Sequence, residues 1–241
     1  MKVYEELGQL LASLDCDAVF GVMGNANMLP MSAYQSAGGR YVRAVHENGA
    51  VAMADGYSRA SGRIGIATVT HGPGLTNAMT ALTEAVRAGS TVLLLSGTGP
   101  VRQGHDQRID LREIASASGA IYDRLYTPGS LGRDLSRALE RMGQAKRPVL
   151  FDVPAAVLQM ECGEDQAVTY PMAAEPRLPL PDLDAVLGLI ADSERPLILA
   201  GKGAVQAGAE EALIELAGQL GAMLGTTVRG KELFRASPRA I

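Results

Sequence analysis

The sequence predicts an α/β fold: a doubly wound parallel sheet of about six strands with helices on both faces, followed by the beginning of a second α/β domain. Short apolar segments alternate with helical segments along the first 156 residues. The predicted strands are apolar throughout, which is typical of parallel strands buried on both faces. Glycine accounts for 28 of 241 residues, which suits close packing and frequent strand-to-helix turns.

The elements follow from the spacing of apolar residues. Val3, Leu7 and Leu10 lie at helical spacing and predict an amphipathic first helix. Apolar runs bounded by glycine or polar residues predict strands at 18–22, 41–45, 64–70, 91–97, 121–126 and 148–153. Helices are predicted near Pro30 and at 48–60, 75–87, 111–118 and 131–142.

A proline-rich segment separates the two predicted domains. Four prolines lie within eleven positions: Pro171, Pro176, Pro179 and Pro181. Because proline stiffens an extended path, residues 157–181 are predicted to be a linker between a domain at 1–156 and a partial central domain at 182–241. The second segment predicts helices at 183–190 and 209–220 and strands at 196–200 and 222–227. So small a core predicts a fragment of a longer protein or a chain that needs a partner.

Composition excludes several functional classes. The net charge is −4, and aromatic residues make up 4% of the chain, so a nucleic-acid partner is not expected. Two distant cysteines, Cys16 and Cys162, form no disulfide framework, and no Cys/His cluster has zinc-ligand spacing, so no metal ligands are predicted. The apolar runs are too short to span a bilayer and the N-terminus predicts a helix, so a cytoplasmic protein with no membrane partner is expected.

Two predicted turns at the carboxyl ends of strands carry candidate chemistry. Sites in parallel sheets form at these ends. Glu47 lies where a strand gives way to a helix, although acids are common at helix starts because of the helix dipole. The second turn, Gly72-Pro73-Gly74, leaves room for a ligand beside a helix start. Each feature alone is weak evidence of function.

Taken together and in order, these motifs resemble the pyrimidine-binding domain of thiamine-diphosphate enzymes, in the group of acetolactate synthase, pyruvate oxidase and benzoylformate decarboxylase. The resemblance covers residues 1–156 and continues in the central domain at 196–201 and 226–234. The motifs are Phe20-Gly21…Gly24…Leu29-Pro30, His46-Glu47-x-x-Ala50, Ala54-Asp55-Gly56-Tyr57-Ser58-Arg59-Ala60-x-Gly62 and Gly72-Pro73-Gly74-x-x-Asn77.

The resemblance implies a catalytic role for Glu47. Its carboxylate would hydrogen-bond N1′ of the cofactor's aminopyrimidine and stabilise the tautomer whose 4′-nitrogen removes the thiazolium C2 proton. The cofactor would then act as the electron sink for decarboxylation or C–C bond formation on a 2-keto acid.

The resemblance also implies roles for other residues. Five of them match the family's cofactor-binding positions: Gly24, Gly72, Pro73, Gly74 and Asn77. His71 and Gln107 are candidates on the substrate side. Simpler interpretations stay open, since the glycines could merely shape the turn, Gln107 could lie in a solvated loop and His71 could be a polar neighbour of the turn.

The sequence departs from the family pattern in two respects. Met23 stands where the group usually has proline, which weakens any assignment of substrate by analogy. The Gly-Asp-Gly…Asn motif that binds Mg²⁺ and the diphosphate belongs to a third domain and has no match here. The resemblance therefore implies that Mg²⁺ binds through that missing domain, and that the enzyme is a homodimer or homotetramer. FAD, which some relatives hold, is possible but unsupported.

Two other functions are considered. The chain could be a non-catalytic dimerising module, or a subunit that needs a separate diphosphate-binding chain, although the presence of Glu47 speaks against degeneracy. A nicotinamide-dependent Rossmann oxidoreductase is disfavoured, because Gly21 and Gly24 do not complete a GxGxxG motif after the first strand. Gly201-Lys202-Gly203 is an equally incomplete match.

Overall fold

A computed structural model describes residues 1–99, 107, 109–163, 168 and 182–241. The chain divides into two compact units, Met1–Glu175 and Pro176–Ile241. Most of the predicted linker lies outside the described residues, as do its four prolines.

The first unit alternates strands and helices, as its sequence predicts. Its strands are β1 (Val19–Gly21), β2 (Tyr41–Arg43), β3 (Gly65–Thr68), β4 (Val92–Ser96), β5 (Ile121–Arg124) and β6 (Val149–Asp152). Its helices are α1 (Val3–Ser13), α2 (Met28–Ser36), α3 (Glu47–Ser61), α4 (Pro73–Thr76), α5 (Met79–Ala88), α6 (Leu111–Ser118) and α7 (Leu131–Ala145). Most observed strands are shorter than predicted, because the last apolar residues of the predicted strands lie in the loops that follow.

The six strands form one parallel sheet in the order β2-β1-β3-β4-β6-β5. The predicted fold class is therefore confirmed. The central strands β3, β4 and β6 are buried along their whole length, whereas the edge strands β2 and β5 are partly exposed. Because all six strands run in the same direction, their carboxyl ends lie along the same edge of the sheet.

Alternating strand residues point into two separate hydrophobic clusters, one on each face of the sheet. Ile66 and Leu93 belong to the cluster that includes residues of α1, α2 and α7. Ala67 and Leu94 belong to the cluster with residues of α3, α5 and α6. This division explains the continuous apolar strands, since neighbouring residues are buried against different helices.

One predicted helix is two helices in the structure. The segment predicted as a single helix at 75–87 is α4 and α5, which are separated at Asn77 and Ala78. The break leaves the Asn77 side chain at the end of α4, beside the carboxyl edge of the sheet.

The second unit contains α8 (Asp184–Ala191), β7 (Leu197–Ala200), α9 (Lys202–Gln206), α10 (Glu210–Leu220) and β8 (Met223–Thr226). Strands β7 and β8 pair in parallel. Helix α9 was not among the predicted helices. Leu197 and Leu199 of β7 are exposed, and only a small cluster around Leu224 and Phe234 is buried. Within the described part of the chain, no helix combines the length and apolar character that a membrane span requires.

A buried carboxylate ties the edge strand β5 to α7. Asp123 accepts hydrogen bonds from Arg137 Nε at 3.1 Å and Nη2 at 2.6 Å, and from Arg141 Nη1 at 3.0 Å. Burial alone would raise the pKa of Asp123, but hydrogen bonds from Arg137, the Arg124 amide and Arg141 outweigh it and hold the pKa below its ordinary value.

We predict that Asp123→Asn lowers the free energy of unfolding at pH 7 by ~2 kcal/mol, less than the cost of breaking a fully buried pair, because Arg137 is partly solvated. Since the pKa is lowered in the folded state, the charged carboxylate stabilises the fold above about pH 4, and this contribution is lost as the pH falls below that value. Urea unfolding at pH 7 and pH 3 measures both quantities.

The matched control is Glu140→Gln, which removes an exposed carboxylate from the same helix α7. It should change the stability by less than ~0.5 kcal/mol. A loss for Asp123→Asn that is equal at the two pH values would contradict the ion-pair explanation.

Candidate functional site

Three loops meet at the carboxyl ends of β1, β2 and β3, which are neighbours in the sheet. They begin after Gly21, Arg43 and Thr68, and together with the helices that follow them they contain all but one of the residues that sequence analysis assigned to the site. Gln107 is the exception, and it reaches this edge from the connection that precedes α6. The order of the strands, rather than proximity in sequence, thus brings these segments together.

Glu47 is the first residue of α3, directly after β2 and a short connection. His46 caps the helix, because its Nδ1 accepts a hydrogen bond of 3.1 Å from the Asn48 amide. The carboxylate lies in the first turn, where the helix dipole favours negative charge. Glu47 itself is half-buried, so its side chain is shielded on one side and open on the other.

Asn77 holds the Glu47 carboxylate in place. Its Nδ2 donates a hydrogen bond of 3.1 Å to Glu47 Oε2. Nearby, Asn48 Oδ1 accepts a bond of 2.8 Å from the Ala81 amide at the start of α5. These two bonds join the first turn of α3 to the junction of α4 and α5. The sequence placed Glu47 and Asn77 in the same site, and the structure brings their side chains into direct contact.

The Gly72-Pro73-Gly74 turn packs closely on both sides. Gly72 has φ 64° and ψ −120°, a backbone conformation that favours glycine, and a β-carbon built on it would overlap the carbonyl oxygen of Gln107. A β-carbon built on Gly74 would lie 2.7 Å from Thr70 Cγ2 and 3.6 Å from Glu47 Oε1. Gly74 therefore keeps the turn close to the catalytic candidate.

Gly24 belongs to a loop that Asn27 organises. Asn27 Oδ1 accepts a bond of 2.8 Å from the Gly24 amide, and Asn27 Nδ2 donates to the Val22 carbonyl at 3.0 Å and to Thr68 Oγ1 at 3.1 Å. A β-carbon built on Gly24 would lie 2.5 Å from Thr70 Cβ. The loop after β1 is thus fixed against the end of β3. Sequence analysis assigned Asn27 no role in the site, although an asparagine shortly after a strand and before a helix is a common turn signal.

The substrate-side candidates lie in different surroundings. His71 is buried, with 4% of its surface exposed, whereas Gln107 is exposed and its backbone lies against Gly72. Asp110, three residues after Gln107, caps α6. The roles of His71 and Gln107 toward a substrate stay predictions. Among the described residues, no group of three or more His, Cys, Asp or Glu could hold a metal ion.

Comparison with known proteins identifies the family. Residues 1–116 match the model of the thiamine pyrophosphate enzyme N-terminal TPP binding domain, and residues 183–239 match the model of the thiamine pyrophosphate enzyme central domain. The chain belongs to the thiamine pyrophosphate enzyme family, in the group that its sequence motifs resemble.

Several relatives match nearly the whole chain. It is 32% identical to a probable 2-ketoarginine decarboxylase of Pseudomonas aeruginosa, over 95% of this chain and 42% of the relative. It is 31% identical to a sulfoacetaldehyde acetyltransferase of Alcaligenes xylosoxydans xylosoxydans, over 90% of this chain and 36% of the relative. A probable acetolactate synthase large subunit of Methanocaldococcus jannaschii is 32% identical, over 97% of this chain and 41% of the relative. The chain thus spans about two fifths of the length of these curated relatives.

A solved structure shows the same fold. The thiamine diphosphate-dependent 4-hydroxybenzoylformate decarboxylase of Rhodococcus jostii RHA1 superposes with a TM-score of 0.76 at 23% identity. The match covers 94% of this chain and 44% of that one. It supports the α/β architecture predicted from the sequence.

We predict that Gly72→Ala destabilises the first unit by ~1–3 kcal/mol, since alanine would meet both an unfavourable φ and the Gln107 backbone. Gly56→Ala on the exposed side of α3 is the control, because a β-carbon there has nothing within 4 Å. That change should be neutral or stabilising by up to ~1 kcal/mol. Urea unfolding compares the two, and equal stability for both variants would refute the close approach at Gly72.

Proposed function

We propose that this chain is the N-terminal part of a thiamine-diphosphate-dependent enzyme that acts on 2-keto acids, by acetolactate synthase-like C–C bond formation or by decarboxylation. The family assignment supports the cofactor, and the printed functions of the relatives, which include a 2-ketoarginine decarboxylase and an acetolactate synthase, support the substrate class. The acetyltransferase relatives support acyl transfer as a neighbouring chemistry.

The observation that carries the proposal is the Glu47 carboxylate at the carboxyl edge of the sheet. Asn77 holds one of its oxygens, Oε2, and the other, Oε1, lies on the side of Gly74. The carboxylate is half-buried, and Oε1 can still accept a hydrogen bond. Such an oxygen can bind a heterocyclic nitrogen that carries or shares a proton. The residues present therefore fit the aminopyrimidine of the cofactor.

The cofactor, when bound, supplies an acidic carbon and an electron sink. Glu47 would hold the proton shared with the aminopyrimidine N1′. Asn77 would keep the carboxylate from rotating away, since its amide hydrogen bond fixes one oxygen. Gly24, Gly72, Pro73 and Gly74 would help to hold the cofactor, at the positions that sequence analysis assigned to cofactor binding.

The proposal includes parts outside this chain. Mg²⁺ and the diphosphate would be held by a third domain, and the enzyme would be a cytoplasmic homodimer or homotetramer. Exposed apolar side chains near the site support an assembly. Val45, two residues before Glu47, is fully exposed, and Met23, Met28 and Met53 are exposed as well. Such a concentration of exposed apolar residues is typical of surfaces covered by another protein. A flavin is not part of the proposal.

Glu47→Gln in the full-length protein should lower cofactor-dependent turnover of a 2-keto acid by ~10²–10⁴-fold, because glutamine cannot hold the shared proton. The assay follows the consumption of a panel of 2-keto acids, pyruvate and 2-ketoarginine among them, with thiamine diphosphate and Mg²⁺. Glu140→Gln on α7 is the control and should leave turnover unchanged. Turnover of Glu47→Gln close to that of the unmodified protein would remove the assignment of Glu47. Cofactor binding without any turnover in the unmodified protein would favour the non-catalytic module instead.

Calorimetry tests the division of the cofactor site between domains. We expect negligible binding of thiamine diphosphate and Mg²⁺ to the 241-residue chain alone, because the described residues offer no metal-ligand cluster for the diphosphate. Mixing with the separately produced remainder of the protein should create binding. Tight, metal-dependent binding to the chain alone would show that it has a diphosphate site of its own.

A further inference from the structure

A second cleft lies at the carboxyl edge of the sheet, at β4, β5 and β6 rather than at the strands that position Glu47. Its volume is about 390 Å³. Among the described residues, its lining consists of Thr98, Ile109, Asp110, Leu111, Arg112, Tyr122 and Arg124. The lining is predominantly polar and includes two guanidinium groups.

Arg112 lies over an aromatic ring rather than against a carboxylate. Its guanidinium carbon is 4.6 Å from the centroid of the Tyr122 ring. Within the described part of the chain, no carboxylate lies within ion-pair distance of it. Stacking on a ring restricts the orientation of a guanidinium while leaving its N–H groups available to a ligand.

Arg124 faces a buried carboxylate that already has other donors. Its Nε lies 3.5 Å from Asp152 Oδ2, a long contact. Asp152 is fully buried and accepts from the Thr98 amide at 2.7 Å, from Thr98 Oγ1 at 2.6 Å and from the Tyr122 hydroxyl at 2.9 Å. Burial and the negative charge of Asp152 raise the pKa of Tyr122, so its hydroxyl remains a donor at neutral pH. Asp152 is therefore stabilised without the η-nitrogens of Arg124.

Asp110 is the acidic residue of the described lining. Its Oδ1 accepts bonds from the amides of Arg112 at 2.8 Å and Glu113 at 3.3 Å, so the side chain is engaged in capping α6. The positive end of the α6 dipole lies at this cap. The cleft thus presents two arginines and a helix start, while hydrogen bonds within the protein occupy oxygens of both acids.

We propose that this cleft binds the oxyanion group of a small molecule, a carboxylate or a phosphate, with the guanidinium groups of Arg112 and Arg124 as its principal contacts. Planar guanidinium groups match either oxyanion through paired N–H donors. The described lining shares no residue with the proposed cofactor site, and the proposal does not depend on the thiamine chemistry.

Titration of the 241-residue chain with inorganic phosphate and with malonate, at ionic strength matched with sodium chloride, tests the proposal. Calorimetry or amide chemical shifts should show saturable binding of at least one anion. Whichever binds tighter identifies the oxyanion that the cleft prefers. The absence of saturation with both probes would overturn the proposal.

Variants locate the site. Arg112→Gln should weaken binding about tenfold, because an exposed guanidinium is removed without a buried partner being left behind. Arg124→Lys keeps a positive charge beside Asp152 but removes the planar donors, and should weaken binding about fivefold while the fold is retained. Arg133→Gln, which removes an exposed arginine from α7, is the control and should leave affinity unchanged.

Asp110→Asn gives an opposite signature. Asparagine caps a helix about as well as aspartate, so α6 should be preserved while a negative charge leaves the cleft. Anion affinity should therefore rise about threefold or more. If Arg112→Gln and Arg133→Gln weaken anion binding equally, the attraction to positive charge is nonspecific and the proposal is overturned. An anion affinity of Asp110→Asn no higher than that of the unmodified chain would also overturn it.

Discussion

Parallel pairing of the six strands is the constraint on which the rest of this structure depends. It places every carboxyl end at the same edge, so residues that are distant in sequence meet there. The Glu47 carboxylate follows β2, the glycine turn follows β3, and the Arg112–Arg124 cleft follows β4, β5 and β6. The two faces of the sheet are covered by separate helix layers, which leaves this edge as the place where polar groups can gather without entering a core.

Hydrogen bonds between helices position the side chains at the carboxyl edge of the sheet. Asn48 and Asn77 connect α3 to the α4–α5 junction through hydrogen bonds of 2.8 Å and 3.1 Å. Asn77 lies at the break between α4 and α5, where its side-chain amide reaches Glu47.

Much of this arrangement could be predicted from the sequence. Apolar strands separated by glycine-bounded turns predicted the parallel sheet, and the order of the motifs placed Glu47, Gly74 and Asn77 in one site. The interruption of the helix at Asn77 could not be predicted, because residues 75–87 have an unbroken helical pattern. Helix α9 was missed for a related reason, since Gly201 and Gly203 signal a turn in isolation but here flank the start of a short helix.

Contacts between strands and distant helices were also beyond the sequence. Asp123 looks like an ordinary strand residue, yet Arg137 and Arg141, which follow it by 14 and 18 residues and lie about one turn apart on α7, convert it into a buried ionic centre. The stacking of Arg112 on Tyr122 likewise depends on how α6 crosses β5. Such pairings have no local pattern, because tertiary packing alone decides which charged side chains meet.

The cap of α3 has a consequence for the residue that follows it. A serine or threonine would accept the Asn48 amide through a hydroxyl oxygen, but His46 accepts it through Nδ1, which requires that this ring nitrogen carry no proton. The neutral imidazole then holds its hydrogen on Nε2. The backbone that aims the Glu47 side chain is thereby linked to the tautomer of its neighbour.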